Sequence, residues 1–222
     1  MKKVLVLAPH PDDETLGCGG TLLRLRREGA AVHWAVMTRM SRAGGFTASA
    51  MRRRQSEIAQ AARHYRFSGV HLLGFPAKRL DVVPREKLVA ALARLLSRLR
   101  PDTLFLPHGG DAHTDHRISF AAAMACAKSF RYQSLKKVLS YETLSETGFG
   151  PPRAADAFIP NSFSDITGYL AGKLAAFRIY SGEGGPHPFP RSEESIRALA
   201  SLRGGMAAAR HAEAFCILKD LW

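Results

Sequence analysis

Apolar and polar positions along this chain switch repeatedly between two periods. Val4-Leu5-Val6-Leu7 is an unbroken apolar run that reads as a strand buried on both faces, as in a parallel sheet. Behind it the period changes: in Thr15–Glu28, Leu16, Leu22, Leu23 and Leu25 fall on one face of a helix. The alternation then recurs. Ala31–Thr38, Val70–Phe75, Thr103–Leu106 and Lys137–Glu142 predict strands, with helices predicted over Ala48–Tyr65, Pro84–Arg98 and Asp115–Phe130. Further on, the pattern predicts helices over Phe163–Tyr180, Ser192–Leu202 and Gly205–Glu213, and a last strand at Ala214–Leu218. Such alternation predicts an α/β, Rossmann-like three-layer sandwich with a mainly parallel twisted sheet and helices on both faces. No composition shift, repeat or low-complexity stretch divides the chain, so residues 1–222 are expected to form a single domain.

The first strand ends abruptly in His10-Pro11-Asp12-Asp13-Glu14. Pro11 suits a first helical turn, and acidic groups there meet the positive end of the helix dipole. A dinucleotide fold would set a glycine-rich phosphate cradle at this turn, but here the glycines (Gly17, Gly19, Gly20) follow the carboxylates. Clustered negative charge repels phosphate and attracts a metal ion. His10 and Asp13 are three residues apart across a helix start, so their side chains can converge. The complement lies in His108-Gly109-Gly110-Asp111-Ala112-His113-Thr114-Asp115-His116, which follows the predicted strand Thr103–Leu106. In a parallel sheet both turns fall at the carboxyl ends of strands, where such folds bind ligands. His116 would then complete a two-histidine, one-carboxylate set with a position left open for water.

Composition narrows the setting. The 222 residues, 46% hydrophobic and 23% charged, suffice for an ordinary core without staples. Three cysteines, Cys18, Cys126 and Cys216, have no paired spacing, which argues for a reducing compartment and cytoplasmic location. No stretch approaches the roughly 20 apolar residues of a membrane span. The formal charge of +13 is consistent with steering of an anionic substrate, with nonspecific nucleic-acid binding, or with a merely basic background. No nucleic-acid-binding motif accompanies it, so no specific nucleic-acid partner is expected.

The motif His-Pro-Asp-Asp-Glu-x-Leu-Gly-Cys-Gly-Gly at 10–20 and the His113-Thr114-Asp115-His116 element resemble the PIG-L/LmbE-like zinc-dependent N-deacetylases of N-acetylglucosamine-type substrates. The likeness spans nearly the whole chain, and its carboxyl-terminal part looks like a bacterial branch associated with surface-polysaccharide or sugar-nucleotide genes. It implies a metal-dependent hydrolase that removes the acetyl group from an N-acetylated hexosamine, free, glycosidic or nucleotide-linked, by attack of a metal-bound water. Zn2+ is the implied metal, although a mixed nitrogen and oxygen site accepts Fe2+ or Co2+ as well. His10, Asp13 and His116 would hold the ion and Asp12 would be the general base. His113 would act as an imidazolium that stabilises the oxyanion, with Asp115 orienting it and raising its pKa; Glu14 would support a ligand or cap the helix. Arg54, Glu57, Lys173 and His187 are the candidate substrate contacts, the last on the Ser181–Pro190 loop expected at the site mouth. Ala77 stands where relatives often carry aspartate. Two other readings stay open: an amidase of larger sugar-thiol or antibiotic conjugates using the same metal site, and a basic nucleic-acid-binding module.

Overall fold

A computed structural model of the chain describes residues 1–221. Its centre is a seven-stranded sheet in the order β3-β2-β1-β4-β5-β7-β6. The strands are β1 (Lys3–Ala8), β2 (Ala31–Arg39), β3 (Gly69–Pro76), β4 (Thr103–Pro107), β5 (Lys137–Tyr141), β6 (Ser162–Asp165) and β7 (Ala212–Asp220). β1 to β5 run parallel, and β7 lies antiparallel between β5 and β6. The helices are α1 (Asp13–Arg27), α2 (Ala48–Tyr65), α3 (Arg85–Leu99), α4 (Thr114–Cys126), α5 (Leu170–Phe177) and α6 (Glu193–Met206). Among the described residues no helix is long and apolar enough to cross a membrane.

Successive side chains of a strand point to opposite faces, and β1 uses both. Val4, Val6 and Ala8 join Leu22, Trp34 and Tyr65 in one core, while Leu5 and Leu7 join Met37, Leu88, Leu92, Leu96 and Ala122 in the other. Helices α3 and α4 cover the second core, and α1 and α2 the first. The three-layer expectation is met.

After β1 the chain proceeds outward through β2 and β3; after β4 it proceeds the other way through β5. β1 and β4 are hydrogen-bonded neighbours. The turns that leave their carboxyl ends therefore diverge and open a crevice, the position at which open parallel sheets bind ligands. These are the His10 and His113 turns.

The glycines after the acidic motif set how closely α1 can approach. A Cβ on Gly17 would lie 2.1 Å from the Tyr141 ring, and one on Gly20 2.8 Å from Ile166. Tyr141 in turn donates its hydroxyl hydrogen to the Leu7 carbonyl at 2.8 Å.

Two expectations at the carboxyl end need correction. Phe163–Tyr180 is not one helix: Ser162–Asp165 pairs with β7 as an edge strand, and the helix begins only at Leu170. Between them the Asp165 side chain accepts from the Thr167 amide at 2.8 Å, a local turn contact that competes with helix. Gly205–Glu213 is likewise not a separate helix: Gly205 and Met206 end α6, and the residues after them are not helical. A Cβ on Gly204 would lie 2.6 Å from the Ala209 carbonyl oxygen, so the chain doubles back there, and β7 starts at Ala212.

Candidate metal centre

The β1 turn supplies three buried acids, Asp12, Asp13 and Glu14, and the half-buried His10. Asp13 Oδ2 accepts from the His10 amide at 2.8 Å and also lies 3.5 Å from His10 Nδ1 and 3.3 Å from His116 Nε2. One carboxylate oxygen thus faces a ring nitrogen of each histidine. The opposite nitrogens are held from behind: His10 Nε2 is 3.0 Å from Asp115 Oδ2, and His116 Nδ1 is 2.8 Å from Asp111 Oδ2. Asp111 is fixed by the Thr147 hydroxyl, which donates to its Oδ1 at 2.6 Å.

Two imidazoles backed by carboxylates and facing a third are the arrangement of a histidine-ligated metal site, in which the rear acceptor fixes ring tautomer and orientation. The charges agree. Burial pulls the His10 imidazole down, but hydrogen bonds to Asp115 and Asp13 outweigh it and push it up to about 9. Burial also opposes protonation of His116, yet Asp13 and Asp111 raise it well above the ordinary range. For Asp13, burial is overcome by the charge of His116 and the bonds from both rings, which hold it far below the usual carboxylate range. The acids thus favour positive charge between them, which imidazolium protons or a divalent cation can supply.

His10, His113 and Asp115 also come within metal-ligand reach of one another. That second set has fewer free lone pairs. Asp115 already accepts from the Lys78 and Leu80 amides at 2.7 and 3.0 Å. His113 Nδ1 accepts from the Asp115 amide at 3.0 Å as the cap of α4. His10, Asp13 and His116 therefore fit a cation better.

A match to the family model described as GlcNAc-PI de-N-acetylase covers residues 5–127. The chain belongs to the PIG-L family. It is similar to a diacetylchitobiose deacetylase of Thermococcus kodakarensis, 26% identical over 96% of this chain and 82% of that protein. A probable N-acetyl-α-D-glucosaminyl L-malate deacetylase of Bacillus cereus is 30% identical over 80% of this chain and 83% of its own length. Among solved structures, a conserved Thermus thermophilus protein superposes with a TM-score of 0.79 at 28% identity, covering 100% of this chain and 97% of that one. PIG-L deacetylases are metal-dependent, in keeping with the donor set just described.

Asp12 has its carboxylate beside the PIG-L metal motif rather than in the ligand cluster. Its φ of 139° lies where side chains other than glycine are strained, a cost met mainly at functional sites. Burial, then the charges of Asp13 and Glu183, push its carboxyl up against the opposing pull of Arg54 and His10. Arg191 Nη1 lies 3.4 Å from Asp12 Oδ2. Glu14 is fully buried and accepts from the Thr15 and Tyr180 hydroxyls at 2.6 Å each and from the Asp12 amide at 3.1 Å. Burial pushes it up to about 7 despite those bonds. Its contacts anchor the turn.

The sequence reading of His113 and Asp115 is corrected. The Asp115 carboxylate does not orient His113; it stands behind His10. Burial, then the charge of His10, pull His113 down to about 4 despite the opposing charge of Asp115. Because its Nδ1 accepts the helix amide, the neutral ring carries its proton on Nε2. The ring centroid is 4.7 Å from that of His10.

Of the four candidate substrate contacts, Arg54 touches the acidic turn and Glu57 is its ion-pair partner. Arg54 donates to the Pro11 carbonyl at 2.6 Å, and its Nε lies 3.3 Å from Glu57. Lys173 does not reach the turn. α1 is kinked at Cys18 (φ −143°, ψ 20°); Lys173 Nζ bonds the Leu16 carbonyl at 2.8 Å and Glu213 at 2.7 Å, while Glu213 accepts from the Gly20 and Thr21 amides. This buried ion pair satisfies the polar groups that the kink frees. Lys173→Met should accordingly lower unfolding stability by about 3–5 kcal/mol, because it strands a buried carboxylate, and leave substrate KM in place; urea denaturation and kinetics check both. His187 is exposed, 3.9 Å from Glu194, and no contact ties it to the metal cluster.

Sequence reasoning overlooked Asp111, Thr147, Glu183 and Arg191. Asp111 had a signal, an acid in the same turn as His116. Removing it as Asp111→Ala should weaken metal affinity about 10–100-fold, read by competition with a chelator, with the fold retained by circular dichroism.

Proposed function

We propose that the protein is a metal-dependent N-deacetylase that hydrolyses the acetamide of an N-acetylated amino sugar of the N-acetylglucosamine type. The observation that carries the reading is the paired imidazoles, each backed by a carboxylate and both facing Asp13, beside the strained acid Asp12. His10, Asp13 and His116 would hold the ion, and their mixed nitrogen and oxygen donors suit zinc, with Fe2+ or Co2+ also accommodated. Such an ion, when bound, polarises an acyl oxygen and lowers the pKa of water toward 7.

The chain's own groups account for the protons. Ionised Asp12 accepts a proton from the attacking water as the new C–O bond forms, and then returns it to the sugar nitrogen as the C–N bond breaks, so that the free amine and acetic acid leave, the acid giving its remaining proton to solvent as acetate. His113, neutral, donates from Nε2 to the acyl oxygen as negative charge develops on it. Asp111 and Asp115 keep the ligand rings turned toward Asp13. Arg54, tethered to the Pro11 carbonyl and Glu57, lies within reach of substrate hydroxyls. The continuous sheet supports reading residues 1–222 as one catalytic domain, and the three free cysteines support a reducing, cytoplasmic setting.

Primary-amine release from a panel of N-acetylhexosamines, glycosides and nucleotide conjugates tests the reading. Release from at least one simple acetamido sugar is expected. Release only from large sugar-thiol or antibiotic conjugates would point to the amidase alternative.

A further inference from the structure

The formal charge of +13 is concentrated at one end of the molecule. In a parallel sheet built with crossover helices, the connections that lead from helix to strand all lie at the strands' amino ends, opposite the crevice. That end comprises Met1–Lys3, the last turns of α1 to α4, their connections through the first residue of the following strand, and Lys219 and Asp220 of β7. It holds fourteen lysines and arginines against three acids, Glu28, Asp102 and Asp220, and so +11 of the +13. The rest of the chain, with 18 bases and 16 acids, is nearly balanced.

Local structure accounts for few of these bases. A base in the last turn of a helix complements its dipole, which covers Arg24, Arg26, Arg27, Arg63 and Arg98. The others stand on strand starts and loops. Among the described residues only Arg24 and Lys137 of the fourteen have a carboxylate partner, Glu28 and Asp220. The Asp102 carboxylate is taken by the Lys2 and Lys3 amides at 2.7 and 2.8 Å. Lys2, Arg100, Lys128, Arg131 and Lys136 are all exposed.

Apolar side chains stand out of the same surface. On the connection from α4 to β5, Phe130 is 73% exposed, with the Arg131 guanidinium 5.6 Å from its ring centroid. Leu221, whose amide bonds the Lys136 carbonyl at 2.9 Å, is 46% exposed. A nucleic acid would take the charge and stack on the ring, but it offers nothing to an aliphatic side chain. An anionic bilayer takes both, with bases at its headgroups and apolar tips just beneath them. We infer that this end is a docking surface for an anionic lipid membrane, gripped by Lys128, Arg131, Lys136 and their neighbours, with Phe130 set into the interface. The metal-site crevice, at the opposite end of the sheet, then faces the aqueous side. This inference does not rest on the deacetylase reading.

The test is co-sedimentation of the full chain with vesicles of phosphatidylcholine alone and with vesicles in which about a third is phosphatidylglycerol, at about 0.05 M and about 0.5 M salt. At low salt the anionic vesicles should bind at least about tenfold more tightly than the neutral ones, and high salt should remove most of that gain. Lys128→Glu combined with Arg131→Glu should weaken anionic binding by about tenfold or more. Phe130→Ser should weaken it by about fivefold, since an apolar ring no longer enters the interface. Arg42→Glu combined with Arg79→Glu makes the same change in net charge at the crevice end and should leave most of the binding. Circular dichroism and metal content should stay native in all of these variants. No vesicle binding, equal binding to neutral and anionic vesicles, or equal loss in the two charge-reversed pairs would overturn the inference. So would tighter binding to a DNA or RNA oligomer at the same salt that Phe130→Ser leaves unmoved, which would make this end a nucleic-acid surface.

Discussion

Asp12→Asn should lower amine release by about 10²–10⁴-fold, the usual contribution of a positioned general base, while bound metal stays at the native level. Asparagine keeps the size and hydrogen-bonding reach of the side chain but cannot take a proton from water. The assigned ligands, His10, Asp13 and His116, remain. The pH dependence follows from the same environment. Burial and the neighbouring Asp13 and Glu183 raise the Asp12 carboxyl above its ordinary range, so the base is ionised, and active, only at higher pH than a solvated aspartate would be. Activity of the native protein should therefore fall as pH drops, beginning above the usual carboxylate range, and the residual activity of Asp12→Asn should lack that limb. Metal analysis beside a pH–rate profile checks both parts. Loss of metal along with activity would instead make Asp12 a ligand.

His116→Ala should abolish activity for a different reason. It removes one of three protein donors and leaves Asp13 and Asp111 buried without the ring between them, 3.3 and 2.8 Å from the nitrogens they now face. Metal content should drop below the native level under the conditions in which Asp12→Asn retains it. Leaving two buried carboxylates without a charge partner should also destabilise the fold by about 3–5 kcal/mol, so a lowered urea midpoint is part of the expectation. The two variants thus give opposite metal contents with similarly low turnover, a contrast that a single shared structural role for the two residues would not produce.

The layered fold and the metal cluster were legible because each rests on short-range pattern. Val4-Leu5-Val6-Leu7 announces a strand buried on both faces, and the apolar period of Thr103–Leu106 does the same for the second turn; acids and histidines right after such strands land at one sheet end. The likeness of residues 10–20 to a known motif added the chemistry. What stayed hidden depends on contacts far apart in the chain. Glu183 and Arg191 meet Arg54 and Asp12 across more than a hundred residues, with no local pattern to signal it. Lys173 misled for the complementary reason: a lysine within the stretch that resembles the family reads as a substrate contact until the kink at Cys18 reveals the backbone groups that it satisfies. Asp115, next to His116 and two residues from His113, read as the partner of His113, but the first turn of α4 directs its carboxylate to His10 and the Lys78 and Leu80 amides. At the carboxyl end, alanine- and glycine-rich sequence carries little periodicity, and pairing along the sheet edge decided between helix and strand.

The central claim, that one ion held by His10, Asp13 and His116 enables acetamide hydrolysis, is tested most directly by removing metal with a chelator and titrating zinc back. Amine release from a responsive N-acetylhexosamine substrate and bound metal would be measured at each step. The expected result is a stripped protein with negligible release and a return of activity in proportion to bound zinc, complete at one ion per chain. Undiminished release from the stripped protein, or full recovery in His116→Ala, would contradict it.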